Sequence, residues 1–171
     1  MKKKLSYAIA TFFGVGYCPI ASGTAGSLAT LPFAYVLTFY CGGWPAMLAF
    51  FVLVYVLGTL ASKEVLKYTS HDPSIIVIDE VAGQLIPLIY VSYVSTFISL
   101  SPGQWWLYAA LPSFILFRIF DILKPFPASY FDKKILNAHG VMLDDIAAGI
   151  YALIMFLIFS HVVFTWFGCG F

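Results

Sequence analysis

Three stretches of this 171-residue chain carry no charge at all: residues 5–62, 81–117 and 146–171. Each exceeds the ~20 apolar residues that cross a bilayer as a helix. The 9 Lys and Arg and 8 Asp and Glu are confined to the short segments around them. Only 10% of the residues are charged, against roughly 25% in soluble domains, so the chain lacks the polar surface that packing in water requires. These features predict an all-α integral membrane protein. No Pro/Gly/Ser-rich linker divides the chain, which reads as one helical bundle over residues 1–171.

Helices are expected at about 24–41, 46–62, 79–99, 105–122 and 144–167, giving about five transmembrane helices. Residues 5–23 are left over, and Gly14, Gly16 and Pro19 favour an interfacial or re-entrant segment there over a sixth crossing. The same residues argue against a cleaved secretory signal. Connectors around Pro45 and Pro102 contain no charge, whereas Lys2 to Lys4, Lys63, Lys67, Lys124, Lys133 and Lys134 fall on the opposite side. By the positive-inside rule that side is cytoplasmic. Cys18, Cys41 and Cys169 lack metal-ligand spacing and read as packing residues.

The acids follow a pattern. Ile78-Asp79-Glu80-Val81-Ala82-Gly83 and Leu143-Asp144-Asp145-Ile146-Ala147-Ala148 each place two acids between an apolar and a β-branched residue, followed by two small residues. Paired carboxylates are hard oxygen ligands suited to Mg²⁺, and small residues let helices approach closely. Each pair alone could equally cap a helix start. Capping requires neither a second acid nor close packing, so the recurrence favours a shared metal site.

Arg118, Asp121 and Lys124 fall at i, i+3 and i+6 before Pro125, close to one helical face, where they could hold a metal and a phosphate together. Simple neutralisation of Asp121 by Arg118, with Lys124 snorkelling, is the structural alternative. Gly23-Thr24-Ala25-Gly26-Ser27 opens the first expected helix and offers backbone N–H groups and hydroxyls to an anion, or an ordinary cap and packing glycines. His71 precedes the first acid pair and His139 the second, and either could move a proton. His161 lies toward the far side and reads as structural.

Together, Gly23-Thr24-Ala25-Gly26-Ser27-Leu28, His71-Asp72 with the first acid pair, Phe117-Arg118-Ile119-Phe120-Asp121-Ile122-Leu123-Lys124-Pro125, and His139-Gly140 with Asp144-Asp145-Ile146-Ala147-Ala148-Gly149 resemble the bacterial phosphatidylglycerophosphatase A family over roughly residues 12–151. The resemblance implies a mostly helical, Mg²⁺-dependent inner-membrane phosphatase that converts phosphatidylglycerophosphate to phosphatidylglycerol. Asp79, Glu80, Asp121, Asp144 and Asp145 match its acidic positions, and Arg118 and Lys124 its basic ones. Ser22 is a departure, standing where the family has proline before Gly-Thr.

From these readings, Asp79, Glu80, Asp121, Asp144 and Asp145 are candidate metal ligands. Gly23, Thr24, Gly26, Ser27, Arg118 and Lys124 would bind substrate, with Asp79, Asp144, Arg118, Lys124 and His71 as catalytic candidates. The expected partners are the bilayer and the lipid substrate, not nucleic acid. A CDP-alcohol phosphotransferase would need four acids spaced along one helix with an intervening Gly and Arg, a series absent after either pair. A small ion or metabolite transporter would need polar groups near the midplane, whereas here the acids gather at one interface.

Overall fold

The computed structural model describes residues 2–69, 73–98 and 100–167, and the regular structure among them is helical throughout. In chain order the helices are α1 (Lys3–Ala10), α2 (Ser22–Tyr40), α3 (Trp44–Val65), α4 (Ile78–Val94), α5 (Pro102–Leu123), α6 (Ala128–Lys134) and α7 (Ala138–Phe167). The first turn of α5 is fixed by a capping box, in which Ser101 Oγ accepts from the Gln104 N–H and Gln104 Oε1 accepts from the Ser101 N–H. From Trp106 to Ala110 α5 widens into a π turn just before Pro112, whose missing N–H interrupts the regular ladder.

α4 is the centre of the bundle. Val81, Ala82, Leu85 and Leu88 have no exposed surface, because α2, α3 and α7 enclose the helix. A helix apolar on every side is stable only when so surrounded. On the outer helices large apolar side chains face outward instead: Val52 and Val56 on α3, Ile115 and Ile119 on α5, Ile154 and Ile158 on α7 are all exposed. Such continuous apolar surface suits lipid rather than water.

The five expected long helices correspond to α2, α3, α4, α5 and α7. Among the described residues three of them are long and apolar enough to cross a membrane: α3, α5, and α7 from Ala138 to His161. α4 has 17 residues, short of the ~20-residue span. In α2 the opening turns carry Ser22, Gly23, Thr24, Gly26 and Ser27, which lower its hydropathy. Residues 5–23 form the rest of α1, a 3₁₀ turn at Val15–Tyr17 and the first two residues of α2. An eight-residue helix rises only about 12 Å, too little for a crossing. Of the three cysteines expected to be packing residues, Cys18 and Cys41 are exposed and Cys169 lies outside the described residues.

One boundary changes the reading of the site. α7 begins at Ala138 rather than near Asp144, because Asn137 Oδ1 accepts from the N–H groups of His139 (2.9 Å) and Gly140 (3.2 Å). Asn137 therefore does the capping. Asp144 and Asp145 sit in the interior of the helix, beyond its first turn.

Candidate active site

Chain geometry brings both acid pairs to one end of the bundle. α4 is anchored where the Val77 N–H donates to the Ala10 carbonyl at 2.9 Å, two residues before Asp79. Asp79 and Glu80 occupy its first turn, and Asp79 Oδ1 accepts from the Glu80 N–H at 3.0 Å. α7 crosses α4 closely at two glycines. A Cβ on Gly83 would lie 2.5 Å from the Asp145 carbonyl oxygen, and one on Gly149 would strike the Gly83 carbonyl. This small-residue crossing carries Asp145 to the start of α4.

Asp79, Glu80 and Asp145 each offer a carboxylate oxygen, all within 4.8 Å of one another. Oxygens bound to one Mg²⁺ or Ca²⁺ lie about 2.0 to 2.6 Å from it, so this spacing fits ligands around a single divalent cation. Asp79 and Asp145 are 6% and 4% exposed, and Glu80 Oε2 is buried without a hydrogen-bond partner. Buried carboxylates this close repel one another unless a cation stands among them. The donor set therefore fits a hard divalent ion.

The basic groups flank this cluster. Arg118 Nη1 lies 2.5 Å from Asp121 Oδ2 and donates to Ser27 Oγ at 3.4 Å, linking α5 to the first turns of α2. Gly23 lies where a Cβ would be 3.3 Å from Arg118 Nη1 and would collide with the Glu80 carboxylate. A side chain there would have to displace the end of the Glu80 side chain. The start of α2 has no side-chain cap, and Ser22 Oγ instead donates to the Ser74 carbonyl at 2.6 Å. Asp121 also interacts electrostatically with Glu80 and Asp145.

Lys124 ends α5 in the left-handed conformation (φ 43°), which turns it off the face shared by Arg118 and Asp121. Its Nζ lies 2.6 Å from Asp132 Oδ1 and 2.7 Å from Asp144 Oδ2. Burial draws the lysine's pKa down, but the two carboxylates outweigh it and hold Lys124 above the ordinary lysine range. Asp144 is 7% exposed, and its second oxygen, Oδ1, is buried without a hydrogen-bond partner.

Most sequence-derived candidates thus converge at one end of the bundle, in groupings that differ from those expected. Asp79, Glu80 and Asp145 form one group, whereas Asp144 is tied to Lys124 and Asp121 to Arg118. The expected face of two cations around Asp121 is corrected, because Lys124 leaves the helix before it could join. Of the Gly-Thr segment, Gly23 and Ser27 reach the basic group, while Gly26 packs against Val77 and Thr24 is half-buried in the first turn. His71 lies outside the described residues, and His139 is exposed at the start of α7. Sequence reasoning missed Asp132, which follows Phe131 in a short basic segment, and Gln84, which is fully buried one helical turn from Glu80. The i, i+4 spacing from Glu80 was the available signal for Gln84.

A model of the family described as phosphatidylglycerophosphatase A matches residues 8–160, a range that includes all these groups. The chain belongs to the phosphatidylglycerophosphatase A family. It is 40% identical over 150 residues to the phosphatidylglycerophosphatase A of Haemophilus influenzae, covering 87% of this chain and 85% of that protein. With the phosphatidylglycerophosphatase A of Escherichia coli it shares 34% identity over 157 residues, 91% of this chain and 84% of the relative. A Bacteroides thetaiotaomicron protein named putative phosphatidylinositol-3-phosphatase is 32% identical over 163 residues, covering 93% and 96%. No solved structure matches this family member.

Proposed function

We infer that this protein removes the terminal phosphate of phosphatidylglycerophosphate, giving phosphatidylglycerol and phosphate, in a Mg²⁺-dependent reaction at the cytoplasmic face of the bacterial inner membrane. The observation that carries the reading is the meeting of three carboxylates with Arg118 and the open start of α2, in a chain whose family is named for that activity. Asp79, Glu80 and Asp145 would hold Mg²⁺, which supplies Lewis-acid polarisation of the phosphoryl oxygens.

The rest falls to the chain's own residues. Arg118, oriented by Asp121 and Ser27, binds phosphate oxygens and balances the charge that develops on them during transfer. The N–H groups at the start of α2 add a positive helix end at the same place. Lys124 holds Asp144 by one oxygen and leaves Oδ1 to accept the proton of the attacking water. Direct attack by water inverts configuration at a chiral phosphate; retention would instead indicate a covalent aspartyl-phosphate on Asp79 or Asp144.

The lysine distribution supports a topology in which five helices cross and the acids face the cytoplasm. In a variant with Cys18, Cys41 and Cys169 replaced by serine, a cysteine introduced as Lys134→Cys should then react with impermeant reagent only from the cytoplasmic side; labelling from outside whole cells would reverse the orientation. Neither the phosphotransferase nor the transporter alternative gains support from the family match.

The deciding experiment is phosphate release by the purified protein in detergent from phosphatidylglycerophosphate, phosphatidylinositol 3-phosphate and phosphatidic acid. Preferred release from the first is expected. Preference for the inositol lipid, or no release from any of them, would overturn the substrate assignment.

A further inference from the structure

Away from the acid cluster, the segment joining α1 to α2 takes a conformation that needs a reason. Phe12, Phe13 and Gly14 all have positive φ (44°, 57° and 99°), a region bulky residues rarely enter. The turn is held by hydrogen bonds from the Phe13 N–H to the Ala8 carbonyl (2.7 Å) and from the Gly14 N–H to Thr11 Oγ1 (3.0 Å). Its effect is to bury one of two consecutive phenylalanines and expose the other, their rings staying in tilted contact with centroids 5.8 Å apart. Phe12 is 4% exposed and packs edge-on to Phe33, while Phe13 is 79% exposed. Tyr17 and Ile20 project from the same segment and are also exposed.

Beside this projection lies a groove of about 690 Å³ lined by Lys3, Lys4, Tyr7, Thr11, Phe13 and Tyr17 among others, with no acidic residue in its wall. Lys3 Nζ stands 4.0 Å from the centre of the Tyr68 ring, which helps to fix its position. Two cations next to outward aromatic and aliphatic side chains match a lipid interface, with charge at phosphate depth and apolar groups at the headgroup–acyl boundary. Backbone strain of this kind persists only where the surrounding structure holds it, and it recurs at ligand clamps among other functional segments.

We propose that this groove binds the phosphodiester headgroup of an anionic phospholipid of the surrounding bilayer, with Lys3 and Lys4 on the phosphate and Phe13, Tyr17 and Ile20 among the upper acyl segments. The site is separate from the acid cluster. Since the Ala10 carbonyl of α1 accepts from the Val77 N–H, it also braces the chain two residues before Asp79. The inference rests on the membrane reading of the chain and not on its phosphatase activity.

Native mass spectrometry of the full-length protein, titrated in detergent with phosphatidylserine or phosphatidylcholine, tests it. Wild type should retain phosphatidylserine preferentially. Lys3→Gln with Lys4→Gln should reduce that retention by about five-fold per lysine, and Phe13→Ser should weaken retention of both lipids. Turnover of a short-chain soluble substrate should be unchanged in these variants. Equal retention of the two lipids by wild type, or undiminished phosphatidylserine retention in both variants, overturns the proposal. Absence of phosphate release by wild type would instead count against the phosphatase reading, because lipid retention is measured independently.

Discussion

Replacing Gly83 with alanine tests whether the acid cluster depends on how closely α4 and α7 cross. The added Cβ would sit 2.5 Å from both the Asp145 carbonyl oxygen and Phe117 Cε2, with Phe117 Cζ at 2.9 Å. Ordinary contacts between such atoms begin near 3.5 Å, so the helices must separate by about 1 Å. Neither neighbour can yield readily, since one is helix backbone and the other the ring of Phe117, which is itself fully buried. Overpacking of this kind destabilises by about 1 to 3 kcal/mol. Because Asp145 moves with α7, the shift also spreads the three carboxylates, and a 1 Å misplacement at a reacting centre lowers turnover by about a hundred-fold. Phosphate release and thermal unfolding of the purified variant give the two readouts. Near-normal turnover in a protein with an unchanged midpoint would refute the argument that this crossing assembles the site.

Asp79→Asn and Asp145→Asn should each abolish turnover and weaken divalent-cation binding while the protein stays folded and extractable. Activity close to wild type in both would leave these acids a purely structural role. Asp132→Asn should lower turnover by about ten- to a hundred-fold, because Lys124 loses one of the two carboxylates that position it against Asp144; Asp132→Glu should recover part of that loss, and no recovery would contradict a positioning role. The raised pKa of Lys124 means its stabilising pairs are fully formed below the ordinary lysine value of about 10.4 and are lost only at higher pH. From pH 8 to 10 the stability advantage of wild type over Lys124→Met should therefore not shrink as the pH rises; a gap closing within that range would refute this.

How far the sequence disclosed this arrangement depended on the range of the interaction. The uncharged runs located the five long helices because length and hydropathy are local properties. Paired acids and small residues pointed to Asp79, Glu80 and Asp145, which the fold brings together, since acid pairs and close helix packing both leave a mark in residue type. Asn137 is not legible in the sequence as the cap of α7, so the acid pair Asp144 and Asp145 reads as a helix start although it lies inside the helix. Lys124 misled for a related reason: helical spacing put it beside Asp121, but α5 stops at Leu123 and the left-handed turn sends Lys124 to Asp132 and Asp144. Those partners come from α6 and α7, and no local pattern names them. The strained turn at Phe12 and Phe13 was equally hidden, because its hydrogen bonds and the packing of Phe12 on Phe33 exist only after folding.

The central claim is that Asp79, Glu80 and Asp145 hold the divalent cation on which hydrolysis of the lipid phosphate depends. Its most direct test is a Mg²⁺ titration of phosphate release from phosphatidylglycerophosphate, after chelation, for wild type and Asp145→Asn side by side. Chelated wild type should be inactive and recover saturably with Mg²⁺, while the variant should show no recovery over the same range. Full turnover by the chelated wild type, or an identical Mg²⁺ response in the variant, would contradict it.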